Sequence, residues 1–450
     1  MHRKRKTLHE NSVQQVFDSS GLSCPIPVDF VELPDGHRHE IFKVESFLRI
    51  FSLNEKLHLF LGHVQDFSLT EEYWRRVKCI DPGHPVFSYH KGREQYVIPC
   101  CLHADEGRTL KKSSIMVCNL QPELGCNPDP DYDPQELHTN MKCISWATRF
   151  LMFTMHKSIY RKDSAPLYKM WESLAEELLH LWTHGVELIW NNAKVTVFIC
   201  VTAIKGDWPL LAKLGCLERF FGRKTKAGSK SIAKGICHLC LAGQKEVPFH
   251  DCTLTARWRS TFLEHNPFWK PSPFACLPYH QPLLYRTWFK GQDTTIVNKF
   301  LEERFKQLLA EEPSDYVAAI HEAVCKANSM MRHLFAHGLW YRRIDATVFV
   351  EHAYGFLAKY LEIAYMALSR RKTRFKLTPK FHALNHIADY VRMDLINCPL
   401  AQWLRNPVTW STQQCEDFTG RVSQLSTAVS SRACHRQVMC RYAVNLKSHW

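Results

Sequence analysis

The sequence predicts a mixed α/β fold: a mixed sheet with flanking helices, followed by a large all-helical insertion. Three observations predict it. Two apolar runs near residues 96–120 are separated by a short acidic turn, as in a hairpin. A segment of helical period at 167–182 leads into a β-branched run at 195–205, the pattern of a strand reached through a crossover helix. From about residue 295 the period is helical over three long stretches.

Taken in order, residues 1–90 carry weak strand and helix signals and no motif. Tyr96–His103 reads as a strand ending at Ala104-Asp105-Glu106-Gly107, and Ser113–Leu120 as its partner. Pro122–Pro134, rich in Pro, Asp and Asn, reads as a loop. Cys143–His156 is a long apolar stretch read as a third strand. In Leu167–Trp182 the apolar residues fall at 167, 170, 171, 174, 178, 181 and 182, with Ser164 and Pro166 as a start and Gly185 as a stop. The strand 195–205 follows. Ile296–Leu309, Tyr316–Phe335 and Ala346–Leu368 read as helices. The aromatic residues Trp340, Tyr341, Phe349, Tyr354, Phe356 and Tyr360 fall at helical spacing and read as core, not as platforms for nucleic-acid bases.

Composition narrows the function. The chain has 450 residues, 45% apolar and 23% charged, which describes a globular protein. It carries no apolar run of about 18 residues, so no membrane span is expected. The 18 cysteines are scattered rather than spaced as a framework, and no signal peptide is read at the start; a reduced, nuclear or otherwise intracellular setting is expected. The net charge of +14 favours an anionic partner such as nucleic acid. Basic residues cluster at Arg3-Lys4-Arg5-Lys6, at Arg219, Arg223, Lys224, Lys226, Lys230 and Lys234, and at Arg370, Arg371, Lys372, Arg374, Lys376 and Lys380. Such runs also occur as plain solvated surface.

Two sets of residues could carry chemistry. Asp105 and Asp207 end predicted strands, and Glu416 begins a predicted helix. Carboxylates gathered from separate rigid elements bind Mg²⁺ or Mn²⁺, and two such ions about 4 Å apart serve phosphodiester chemistry. Asp207 also reads as a cap for a helix starting at Trp208-Pro209. Cys237-His-Leu-Cys240 has the spacing of half a zinc site. His250 and Cys252 are the nearest residues to complete it, with Cys216 and His238 as alternatives. His382 and His386, four apart after Pro379, would share a helix face as a possible metal pair; packing or a phosphate contact is the favoured reading for them.

These pieces, in this order, resemble the catalytic region of CACTA-type cut-and-paste DNA transposases, and more closely a transposase-like group in dinoflagellates. The resemblance runs from about Tyr96 to Arg441. It rests on Leu102-His-Ala-Asp105, Lys205-Gly-Asp207-Trp-Pro209, the Cys-x-x-Cys, Pro379-Lys-Phe-His382, and Asn406-Pro followed by Glu416-Asp417-Phe-x-Gly420-Arg421. It implies an RNase H-like core. The first catalytic acid would lie on the first strand (Asp105), the second at the end of the fourth (Asp207), and the third on a helix after the helical insertion (Glu416, with Asp417 beside it). The implied cofactors are two catalytic Mg²⁺ or Mn²⁺ ions and a structural Zn²⁺. The implied partner is DNA, with no membrane contact and self-association allowed. The chain departs from the pattern at Leu284–Asp293, where relatives carry an Asp-x-x-His-like piece. That departure favours a rival reading, a non-catalytic DNA-binding or scaffold protein. The expected organisation is an N-terminal region (1–90), the first part of the core (91–215), a zinc-knuckle-like and linker segment (216–290), a helical insertion (291–400) and a C-terminal helix completing the core (401–450).

Overall fold

The computed structural model describes residues 10–109, 113–125, 136–221, 235–278, 285–286, 292–429 and 434–450. The fold is mixed α/β around one curled sheet. Five of its six strands, in chain order, are β1 (Val97–Arg108), β2 (Ser114–Pro122), β3 (Phe150–His156), β4 (Ala193–Lys205) and β5 (Tyr285–Arg286), and the sixth, Val186–Trp190, pairs antiparallel with β4 off the main path. In space the five run β5-β4-β1-β2-β3. β1, β2 and β3 form an antiparallel meander, whereas β4 lies parallel to β1 and β5 parallel to β4. A parallel neighbour needs a crossover, and α1 (Ala165–Thr183) supplies it.

The sequence explains this layering. α1 buries Leu167, Met170, Trp171, Leu174, Leu178 and Leu181 in the same core as Ile98, Cys100, Leu102 and Ala104 of β1. β1 is buried at every position from Val97 to Ala104, so it reads as a continuous apolar run rather than an alternating one. The described N-terminal residues are not a separate unit. Phe42, Phe47, Phe51 and Phe60 belong to this core, and the Phe60 ring stacks on Phe150 of β3 at 4.3 Å.

Two sequence expectations change. The Cys143–His156 stretch is a helical turn at Ser145–Thr148 followed by β3, because Ser145–Met155 is buried throughout and apolarity alone cannot separate turn from strand. Asp105 does not end its strand; β1 continues to Arg108. Cys143 is disulfide-bonded, while the other described cysteines are free thiols.

Beyond the sheet come α2 (Trp208–Leu214) and then the helical block, α3 (Gln292–Glu311), α4 (Asp315–Ala336), α5 (Arg343–Ser369) and α6 (Pro379–Asn397). Its core includes Met330, Leu334, Tyr341, Phe349, Leu357, Phe381 and Leu384, and it reaches the sheet at Cys101 and Ala203. Tyr354, Phe356 and Tyr360 pack against that core, as expected from the sequence. α7 (Gln413–Thr427) and α8 (Cys434–Lys447) return to the sheet, with Phe418, Val422, Val438 and Tyr442 in its core. Among the described residues, no helix is long and apolar enough to cross a membrane.

Candidate metal centre and carboxylate face

Cys237 and Cys240 sit on a tight turn. Gly235 and Gly243 take φ of +88° and +85°, a region glycine enters without steric cost, and the Ile236 amide donates to the Ala242 carbonyl at 2.9 Å. The Leu239 amide donates to the Cys237 sulfur at 3.3 Å, which aims that sulfur inward. Facing the turn, α6 begins with Pro379 in its first turn, and His382 and His386 fall one turn apart on its buried side. The four side chains converge. Cys237 Sγ lies 3.4 Å from His386 Nε2, and Cys240 Sγ lies 3.2 Å from both His382 Nε2 and His386 Nε2. All four ligand atoms lie within 4.8 Å of one another, and all four residues are buried.

The surroundings hold the ligands in place. His382 Nδ1 donates to the Phe249 carbonyl at 2.9 Å, which fixes the ring and leaves Nε2 facing the sulfurs. Trp258 covers both imidazoles edge-on, at 4.9 and 4.6 Å, and its indole N–H donates to the Asp251 carbonyl. Asn385 donates to that carbonyl as well, and Arg259 pairs with Asp389 of α6. Burial opposes ionisation of the Cys237 thiol, but hydrogen bonding with Cys240 and the charge of His386 outweigh it and hold the thiol well below the usual cysteine range. Burial, and then His386, push His382 below the usual histidine value and so keep it neutral. A thiolate and a neutral imidazole are the forms that bind a metal.

The partners of the cysteine pair are therefore His382 and His386. His250 and Cys252 lie outside the group, as do Cys216 and His238. The physical reason is visible in the 249–251 stretch, which braces the centre through the backbone carbonyls of Phe249 and Asp251. The sequence signal was present: a His-x-x-x-His pair on the buried face of a helix with a proline start. Arg219, from the second basic cluster, is buried behind the cysteines and is not a surface contact. The rest of that cluster, and Arg3-Lys4-Arg5-Lys6, lie outside the described residues. Arg370, Arg371, Lys372, Arg374 and Lys376 are exposed on the loop leading into α6.

The carboxylates lie on the sheet and on α7. His103 of β1 pairs with Lys205 of β4 in parallel register, so Asp105 and Asp207 stand at equal steps beyond that pair. Gly206 permits this approach, since a Cβ there would lie 3.0 Å from the Ala104 carbonyl. Asp207 caps α2, its Oδ1 accepting from the Leu210 amide at 2.8 Å. Asp105 Oδ1 accepts from the Glu106 amide at 2.7 Å. α7 runs along β1. At one end Cys415 meets Gln121, the partner of Cys101, and at the other Gly107 leaves no room for a side chain against Ser423. Glu416 stands between these anchors and accepts from the Thr412 hydroxyl at 3.1 Å. Asp417 instead pairs with Arg421 and accepts from Ser145, each at 2.7 Å. Among the described residues, no group of three ligand atoms within 4.8 Å includes Asp105, Asp207 or Glu416. The departure at Leu284–Asp293 falls largely on residues outside the described ones. No family model matches the chain, and no curated protein matches it either.

Proposed function

We propose that this chain is a transposase-derived DNA-binding protein on an RNase H-like core, with a carboxylate face for divalent ions and a structural zinc centre. The observation that carries the reading is the strand register. The resemblance expects acids on the first strand, at the end of the fourth, and on a helix after the insertion. Asp105 is on β1, Asp207 follows β4 at the same level, and Glu416 is on the helix that runs along β1. Asp105, Asp207 and Glu416 would hold the ions. Two bound ions supply an activated water or 3′-hydroxyl and stabilise the leaving oxygen.

For the Cys237–Cys240–His382–His386 centre the reading is Zn²⁺. Two thiolates and two imidazoles suit that ion, and bonds of about 2.3 Å to sulfur and 2.0–2.1 Å to nitrogen imply tetrahedron edges of about 3.5 Å. The sulfur–nitrogen separations of 3.2–3.4 Å are close to that.

A second reading, DNA binding without cleavage, is favoured by the looseness of the carboxylates and by the departure at Leu284–Asp293. One experiment separates the two. Purified protein is assayed for DNA binding at low and moderate salt, beside a Mn²⁺-dependent nicking assay with Asp207→Asn as the control. Salt-sensitive binding with weak nicking that disappears in Asp207→Asn is the expected result. Binding with no nicking at all selects the non-catalytic reading. Absence of binding at low salt removes the DNA reading.

A further inference from the structure

We propose that His333, His337 and Asp345 form a second divalent-metal site, chemically distinct from the cysteine centre, that latches the corner between α4 and α5 onto the segment carrying Glu136. The three side chains each offer one ligand atom within 4.8 Å of the others, and all three are half-buried. The placement follows from the fold. His333 and His337 are one turn apart at the C-terminal end of α4, and Asp345 lies in the first turn of α5.

Each histidine has an oxygen near one of its ring nitrogens. His333 Nε2 donates to the Asp345 carbonyl at 2.7 Å, which leaves Nδ1 for a metal. His337 Nε2 lies 3.7 Å from Asp345 Oδ1, while its Nδ1 lies 3.9 Å from the Glu136 carboxylate. A carbonyl bonded to one imidazole fixes its tautomer and orientation, as metal-binding histidines require, and the Glu136 carboxylate stands close enough to the other to take that role when a metal binds. The corner itself is held independently. Asn406 donates to the carbonyls of Leu334 and Gly338, and the Leu339 amide donates to the Leu137 carbonyl at 2.6 Å. The ligands are thus positioned by bonds that do not need the metal.

The donor set defines the ion. Two imidazoles and one carboxylate without a thiolate suit Zn²⁺, Co²⁺ or Ni²⁺, and the hard ions Mg²⁺ and Ca²⁺ poorly. Three protein ligands on a half-buried surface leave a coordination position open to water. The competing explanation is a polar cluster held by its own hydrogen bonds with no ion.

The test counts metal equivalents in the full chain, stripped with chelator under reducing conditions and titrated with Co²⁺ in excess Mg²⁺, which occupies all-oxygen sites. The cysteine centre reports itself by thiolate-to-cobalt absorption. Two equivalents are expected, the second binding without that band. Asp345→Asn and His337→Gln should each lose the second equivalent and keep the thiolate band. Glu136→Gln should weaken the second equivalent about 10–100-fold. Uptake of only the thiolate-bound equivalent by the wild type would overturn the proposal, whether or not the variants fold. So would a second equivalent that survives both substitutions.

Discussion

At the scale of single residues, Asp207 has two roles that substitution can separate. Its Oδ1 caps α2, and its charge is what a divalent ion would use. Asparagine keeps a cap oxygen and removes the charge. Asp207→Asn should therefore melt close to wild type, whereas Asp207→Ala should lose about 1 kcal/mol, the usual cost of a missing cap. Thermal unfolding of both variants checks this; equal losses would mean that the charge, not the cap, matters to stability. Buried histidines give a second prediction. Burial, with the nearby Arg405 charge, lowers His84 to about 3, and burial together with the nearby His39 lowers His435 to about 3. The unfolded chain binds these protons near pH 6.5 and the folded chain does not, so stability falls as pH drops from about 6.5 toward 3. Each should cost roughly 2 kcal/mol between pH 7 and pH 5. Unfolding free energies measured in chelator at both pH values should show a flatter dependence for His435→Phe than for wild type.

At the scale of elements, legibility followed how far each signal reaches along the chain. α1 declared itself through period and β4 through its β-branched apolar run, because burial of each is set by its own residues. The strand Val186–Trp190, paired antiparallel with β4, was missed although it carries a local mark. Asn191 and Asn192 both take positive φ, 48° and 62°, the two-residue hairpin turn that asparagine tolerates. The cysteine pair was readable from spacing and His382 and His386 as a pair on one helix face, but nothing local joined the two pairs. The contact joins Cys240 to His382, 142 residues apart, and no local rule chooses among the 25 histidines of the chain. Asn406-Pro407, one of the family-like pieces, proves to have structural work. Asn406 is buried, accepts from the Val408 amide, and caps the end of α4 through two carbonyls. Asn406→Ala should orphan those groups and lower stability by about 3 kcal/mol, read as a lower urea midpoint with an unchanged slope.

At the scale of the whole molecule, the cysteine centre ties the 235–265 segment to α6 of the helical block, while the sheet is held by its own apolar core. Metal removal should then act locally. Hydrogen exchange is expected to rise in α6 and in residues 235–265 on chelation, with β1, β2 and β4 staying protected. Loss of protection throughout the sheet would mean that the centre is needed for the fold as a whole.

The same division governs what the chain can lose and still bind DNA. Binding to phosphates is spread over many basic groups, so it degrades gradually; a carboxylate site works as a unit and fails with one lost ligand. Of the basic clusters, the described and exposed one is the loop before α6. Replacing Arg371, Lys372 and Arg374 with glutamine removes three charges from a surface where no buried contact depends on them. If each neutralises one phosphate, the slope of log affinity against log salt should become shallower by about 2.7, at about 0.9 per contact. Thermal stability should be unchanged, and any residual nicking per bound molecule should persist. Fluorescence anisotropy across a salt series measures the slope. An unchanged slope would move the DNA-binding surface away from this loop and onto another face of the molecule.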